Sequence, residues 1–323
     1  MLLARARYAL ARAARAPFLL PELVPPVEFA SRIEPLPPGC STIDNEVYEQ
    51  PDVAATWHDE DALSQLATLR LLNGARIPYF DRIWRQQLHL TPDRHGQFLE
   101  VGCGGGIATG ALAKLGYHMS GIDASPAAIA AARAHCDELH VQERTSFATG
   151  SAYDLSAYPD GSFDGVLMAD VLEHLLDLPA ALREAHRVLR PGGVFVFDTI
   201  NRTYKSYVAT IVLAQQVFGL VPPNTHDWRL YVKPHEISFV LQSHGFLCDT
   251  RQFRGMRPSF GALPNAMLMR SLPARLASIK PPSIKMPTPQ PAQFVETSSL
   301  EVNYLGWARK ASCSNRKGST HDE

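Results

Sequence analysis

The chain has 323 residues, a length that suits one α/β domain with extensions, and a net charge of -1 that gives it no global pull toward nucleic acid. Hydrophobic residues make up 46% of it, enough to fill a core, and no run reaches the length of a membrane-spanning helix. Five scattered cysteines (Cys40, Cys103, Cys136, Cys248 and Cys313) form no C-x-x-C pair, which speaks against a zinc site or a disulfide framework and fits a reducing compartment.

Met1 to Leu20 carries Arg5, Arg7, Arg12 and Arg15, with no acid before Glu22. That composition describes a mitochondrial presequence or the leader of an Ala/Arg-rich bacterial chain. The expected compartment is the cytoplasm, at the inner face of a membrane, or the mitochondrial matrix side if residues 1–20 are a presequence. Residues 1–41 are Pro-rich and aperiodic and read as a disordered leader and linker. A domain is expected over 42–256, opening near Ile43 to Tyr48. Trp57-His58-Asp59-Glu60-Asp61 leads into an apolar-periodic run, Leu63 to Leu72, that Asn73-Gly74 breaks. Ile77, Phe80, Ile83 and Trp84 then recur at helical spacing. Two helices are therefore expected ahead of the first strand. Arg76 starts the second, where it reaches a carboxylate or remains a solvated surface charge.

Phe98 to Val101 reads as a buried strand that runs into a glycine-rich turn, Gly102-Cys103-Gly104-Gly105-Gly106. A second strand, Met119 to Asp123, ends on an acid about 20 residues after the first glycine, as in ribose-binding βαβ units. Gly102 and Gly104 let a nucleoside approach the backbone, and the Asp123 carboxylate can accept both ribose hydroxyls. The spacing is not G-x-G-x-x-G, and the turn has no phosphate-binding Lys. An acidic E/D-x-G-x-G turn instead resembles that of the S-adenosylmethionine methyltransferases. That ligand is cationic and lacks phosphate, so Glu100 suits it electrostatically.

Ala108 to Leu115 is the first crossover helix. Ser125-Pro126 starts another, with Ser as cap and Pro at the first helical position. Thr145 to Gly150 is a third strand, with Ser151 and Ala152 beyond it beside an adenine. Phe163 to Asp170 is the fourth. A helix from Pro179 to Leu189 is closed by Arg190-Pro191-Gly192-Gly193, and Val194 to Thr199 is the fifth strand. This alternation implies a doubly wound, mostly parallel sheet with helices on both faces and ligands at the strands' carboxyl ends.

An insertion is expected over 201–228. Within it Tyr207 to Val221 is strongly apolar and reads as a core helix, a mobile cover over a greasy substrate, or an interfacial helix. A helix from His235 to His244 and a sixth strand at Gly245-Phe246 follow. Residues 257–297 read as a Pro-rich insertion, 298–310 as the last strand and 311–323 as a disordered tail.

Asp170, Glu173 and His174 stand at i, i+3 and i+4, which on a helical turn shares one face. Three readings stay open. The trio can hold a hard divalent ion such as Mg²⁺, which would lower the pKa of a bound phenol. His174 or Glu173 can act as general base without metal. Or Asp170 caps a helix while the other two are exposed.

Several motifs together resemble one family. They are Leu99 to Gly106, Gly121-Ile122-Asp123, Asp170-Val171-Leu172-Glu173-His174, Val188 to Gly193, Thr199-Ile200-Asn201-Arg202-Thr203, and Val221-Pro222-Pro223-Asn224-Thr225-His226-Asp227-Trp228. The last two are the narrowest. They are similar to those of the ubiquinone-biosynthesis O-methyltransferases, which act on polyprenyl hydroxyphenol and catechol intermediates. The resemblance implies S-adenosylmethionine contacts at Arg76, Gly102, Asp123 and Ala169. It also implies a magnesium site at Asp170, Glu173 and His174, where family members usually carry Glu in place of Asp170. It further implies peripheral membrane contact through 207–221 and a place in a quinone-biosynthesis complex. The expected function is O-methylation of a lipophilic phenol or quinol. The alternatives are a soluble natural-product phenol as substrate and a non-catalytic scaffold of the same fold.

Overall fold

Five parallel strands frame the computed structural model, which describes residues 31–37, 39, 41, 43, 57–58, 67–90, 96–217, 219–222, 224–259 and 293–312. These strands are β1 (Gln97–Val101), β2 (His118–Asp123), β3 (Thr145–Thr149), β4 (Phe163–Ala169) and β5 (Leu189–Ile200), in the order β3-β2-β1-β4-β5. Further on come β6 (Phe246–Leu247), β7 (Arg254–Pro258), β8 (Phe294–Thr297) and β9 (Asn303–Lys310). β9 lies antiparallel beside β5, then β7 and β8 complete that side, while β6 pairs β9. β1 and β4 are central, so Phe98, Leu99, Val166 and Leu167 are fully buried. Parallel neighbours need crossovers. These are the helices α2 (Ile107–Lys114), α3 (Pro126–Glu138) and α4 (Leu178–Val188), with α1 (Ala67–Leu88) ahead of the sheet and α5 (Pro234–Ser243) after it. The expected caps form. Ser125 Oγ accepts from the Ala128 N–H at 3.0 Å with Pro126 at the first position. The chain leaves β1 toward β2 on one side and later fills β4 on the other, so a crevice opens at the carboxyl ends between them.

Several expectations are corrected. α1 runs unbroken through Asn73-Gly74. A Cβ at Gly74 would stand 2.8 Å from the Gln293 Cβ, so the glycine lets the helix press against the start of β8 rather than ending it. One helical glycine costs only about 1 kcal/mol, which such packing offsets. Arg190 to Gly193 belong to β5 rather than to a helix end, with a bulge in the β4 pairing where Gly192 adopts φ 77°. β8 was expected to be part of an irregular insertion, and β9 begins at Asn303 rather than near Ser298. The leader is not wholly irregular either. Leu36 is buried and its N–H donates to the Leu176 carbonyl at 3.0 Å, while the buried Arg32 guanidinium donates to the carbonyls of Leu175 and Leu230. Residues 1–30, 44–48, 260–292 and 313–323 lie outside the described residues.

The apolar stretch forms a π-helix, Tyr207–Val217, after a turn capped by Thr203. Tyr207, Ile211 and Val212 are buried against Ile200, Trp228 and Tyr231. Leu213 and Val217 are exposed. Among the described residues no helix is long and apolar enough to cross a membrane.

Candidate active site

A cavity of about 810 Å³ occupies the crevice. One end is made by the glycine turn, Asp123 and Arg76. The middle holds Ala169, Asp170 and His174. The lining also includes a set of apolar side chains, Ala209, Leu213, Ala214, Leu220, Val221, Met256 and Phe294.

The turn needs its glycines. Gly102 and Gly104 adopt φ 76° and 51°, which side chains resist. A Cβ at Gly102 would lie 2.4 Å from Val171, and one at Gly104 would lie 2.5 Å from the Trp57 ring. Asp123 closes the turn from the next strand. Its Oδ2 accepts from the Gly104 N–H at 2.8 Å and its Oδ1 from the Ser125 N–H at 2.9 Å. Glu100 does not line the cavity. It is buried beneath the turn and accepts from the Thr109 hydroxyl, and burial pushes its carboxyl up to about 7.

Arg76 is a buried carboxylate partner rather than a surface charge. Its Nη1 donates to Asp170 Oδ2 at 2.6 Å, Nε to Asn73 Oδ1 at 2.6 Å and Nη2 to the Leu69 carbonyl at 3.1 Å.

The expected shared face of Asp170, Glu173 and His174 does not form. Asp170 adopts φ 53° and stands outside the single 3-10 turn Leu172–His174. With three residues per turn, Glu173 and His174 point in different directions. Glu173 is buried behind the cavity wall, where its Oε2 accepts from the Thr199 hydroxyl at 2.7 Å and its Oε1 has no hydrogen-bond partner. Burial and then the neighbouring Asp170 push its carboxyl up to about 8. His174 does line the cavity, and burial lowers its imidazole to about 4, so it is neutral at pH 7. Among the described residues no three His, Cys, Asp or Glu side chains form a group that could hold a metal ion. The donor set explains why the trio does not fit Mg²⁺ as arranged. Asp170 is taken by a guanidinium, and Glu173 turns to Thr199 and keeps its proton at neutral pH.

Two residues at the site were not singled out from the sequence. Asp198 pairs across the sheet with Ala169, and its carboxylate is fully buried, 3.8 Å from Arg76 Nη1. Burial and then Asp170 raise its pKa well above the ordinary value. An acid directly after the apolar run Val194-Phe195-Val196-Phe197, in the same strand, is the signal. His226 lines the cavity from the loop after the π-helix, its ring 5.6 Å from that of His174.

A family model described as a methyltransferase domain matches residues 99–197. The ubiquinone biosynthesis O-methyltransferase of Methylobacterium nodulans is 35% identical over 215 residues, covering 64% of this chain and 83% of that protein. The protein of the same name from Paramagnetospirillum magneticum is 34% identical over 209 residues, covering 63% and 81%. The mitochondrial one of Bos taurus is 32% identical over 216 residues, covering 65% and 58%. Sheet order, glycine turn and these matches define an S-adenosylmethionine-dependent methyltransferase. Within that class, the chain belongs to the ubiquinone biosynthesis O-methyltransferase family.

Proposed function

We propose that this enzyme O-methylates a phenolic or catecholic, polyprenylated quinone precursor. The observation that carries the reading is a single cavity joining the glycine turn and Asp123 to a neutral His174 and to a set of apolar side chains. The names of the relatives support the pathway.

In this reading the Asp123 carboxylate, which also holds the N–H groups of Gly104 and Ser125, accepts the ribose hydroxyls. Gly102, Gly104 and Ala169 border the bound nucleoside, and Arg76 holds Asp170 against the methionyl end. When bound, S-adenosylmethionine supplies a methyl carbon made electrophilic by its sulfonium, and a neutral thioether leaves with the bonding pair as the oxygen–carbon bond forms. His174 takes the phenolic proton: its ring lines the cavity, and the neighbouring Asp170 charge favours the imidazolium that forms. A phenol of pKa about 10 needs that base at neutral pH. Glu173 is assigned a supporting place beneath the site rather than a proton-transfer step. No step is assigned to Mg²⁺.

The apolar lining takes the prenyl tail. Exposed Leu213 and Val217 on the same π-helix support a peripheral membrane contact through 207–221. The test is methylation of a short-chain demethylubiquinol analogue with and without EDTA, alongside co-sedimentation with anionic liposomes. Turnover that survives EDTA, with enrichment on liposomes, is expected. Turnover that EDTA abolishes and Mg²⁺ restores would mean that Asp170 exchanges Arg76 for the ion.

A further inference from the structure

The second imidazole in the cavity has no task in the reaction described above. His226 reaches the site from a segment remote from His174 in sequence, yet the two rings are 5.6 Å apart with a 36° interplanar angle. Both line the cavity; the Nδ1 atom of each is buried away from it, and the Nε2 edge is the one left open to a ligand. A ligand with two oxygens on adjacent carbons would offer each ring a partner.

The position of His226 is fixed. Its backbone N–H donates to Gln215 Oε1 at 3.1 Å, which ties this stretch of chain to the π-helix. The Tyr231 ring meets the imidazole edge-on at 6.0 Å. The Tyr231 hydroxyl is in turn held by Thr210 Oγ1 at 2.6 Å, again on the π-helix. The helix that forms the apolar wall therefore also sets this ring.

We propose that His226 is a substrate-positioning residue that binds the oxygen next to the one being methylated, so that His174 and His226 together read an ortho-dioxygenated ring. The proposal rests on the phenol-methylating reading above. It gives the site a reason to prefer a catechol over a monophenol. Loss of one buried hydrogen bond to a substrate oxygen is worth roughly 10-fold in selectivity.

The experiment compares kcat/KM for a short-chain catechol with that for the matched monophenol lacking the second oxygen. The wild type prefers the catechol. In His226→Ala the catechol-to-monophenol ratio falls about 10-fold, and added imidazole restores it. His226→Gln, which keeps a hydrogen-bonding group, retains most of the preference. S-adenosylmethionine binding in calorimetry checks the fold, and His226→Phe carries the comparison if the alanine variant fails that check. Equal losses on both substrates, with no imidazole rescue, would overturn the role of His226 and leave the methylation reading standing. A wild type that binds S-adenosylmethionine and methylates neither substrate would overturn both.

Discussion

Arg76 Nη1 lies 2.6 Å from Asp170 Oδ2, and this contact ties α1 to the left-handed residue that ends β4. The same nitrogen stands 3.8 Å from Asp198 Oδ2 on β5. One buried cation thus holds the Asp170 carboxylate directly and stands beside the buried Asp198 carboxyl of the next strand. Arg76→Ala leaves them without it and should cost about 3–5 kcal/mol, read from the urea midpoint. Arg76→Lys should recover part of the loss, since an ammonium cannot reproduce the fork. An unchanged midpoint in the alanine variant would show that the pair carries no stability.

Asp123 has two duties that a single substitution to alanine would confound. Its oxygens hold the N–H groups of Gly104 and Ser125, so Asp123→Ala loosens the turn as well as removing the acceptor. Asp123→Asn keeps one acceptor oxygen and separates the two effects. Calorimetry should show S-adenosylmethionine affinity falling in both variants, with the larger loss and the lower melting temperature in Asp123→Ala. Wild-type affinity in Asp123→Asn would remove Asp123 from the ligand site.

Local chemistry made much of this legible in the sequence. The alternation of apolar runs and helices set the parallel sheet, and Ser125-Pro126 marked the start of α3 without tertiary information. What stayed hidden depends on distant neighbours. Asn73-Gly74 looks like a break until the start of β8, more than 200 residues away, is seen against it. Likewise, i, i+3 and i+4 spacing places Asp170, Glu173 and His174 on one face only if the turn is α-helical, and the positive φ of Asp170 removes that premise. The nearness of His226 to His174 was beyond reach for the same reason, because the π-helix and its loop bring the two segments together.

Gly105 is constrained by packing rather than by its backbone. A Cβ there would lie 2.7 Å from the Trp57 ring. Gly105→Ala should cost about 1–3 kcal/mol by overpacking and change the intrinsic tryptophan fluorescence. Gly150→Ala, whose Cβ would meet only Ile122 at 3.7 Å, serves as the comparison and should stay within about 0.5 kcal/mol of wild type. Equal effects at the two positions would contradict the Trp57 contact.

Glu173 makes stability depend on pH in a stated direction. Its carboxyl titrates near 4.5 when exposed and near 8 when folded, so the folded state holds a proton that the unfolded state has released between those values. Stability should therefore fall as pH rises through that window. Glu173→Gln lacks the effect, so its melting temperature should gain on the wild type from about pH 4.5 to 8 and hold that advantage above. A difference that does not vary with pH would mean that Glu173 is ionised in the folded protein.

The central claim is that a neutral His174 removes the proton of a phenol held beside the methyl donor. The most direct measurement is transfer of labelled methyl from S-adenosylmethionine to a short-chain demethylubiquinol analogue by the wild type and by His174→Gln, with donor binding followed in parallel. The account predicts turnover by the wild type and a loss of roughly 10²–10⁴-fold in the variant at unchanged donor affinity. Full-rate methylation by His174→Gln, or none by a wild type that binds the donor, would contradict it.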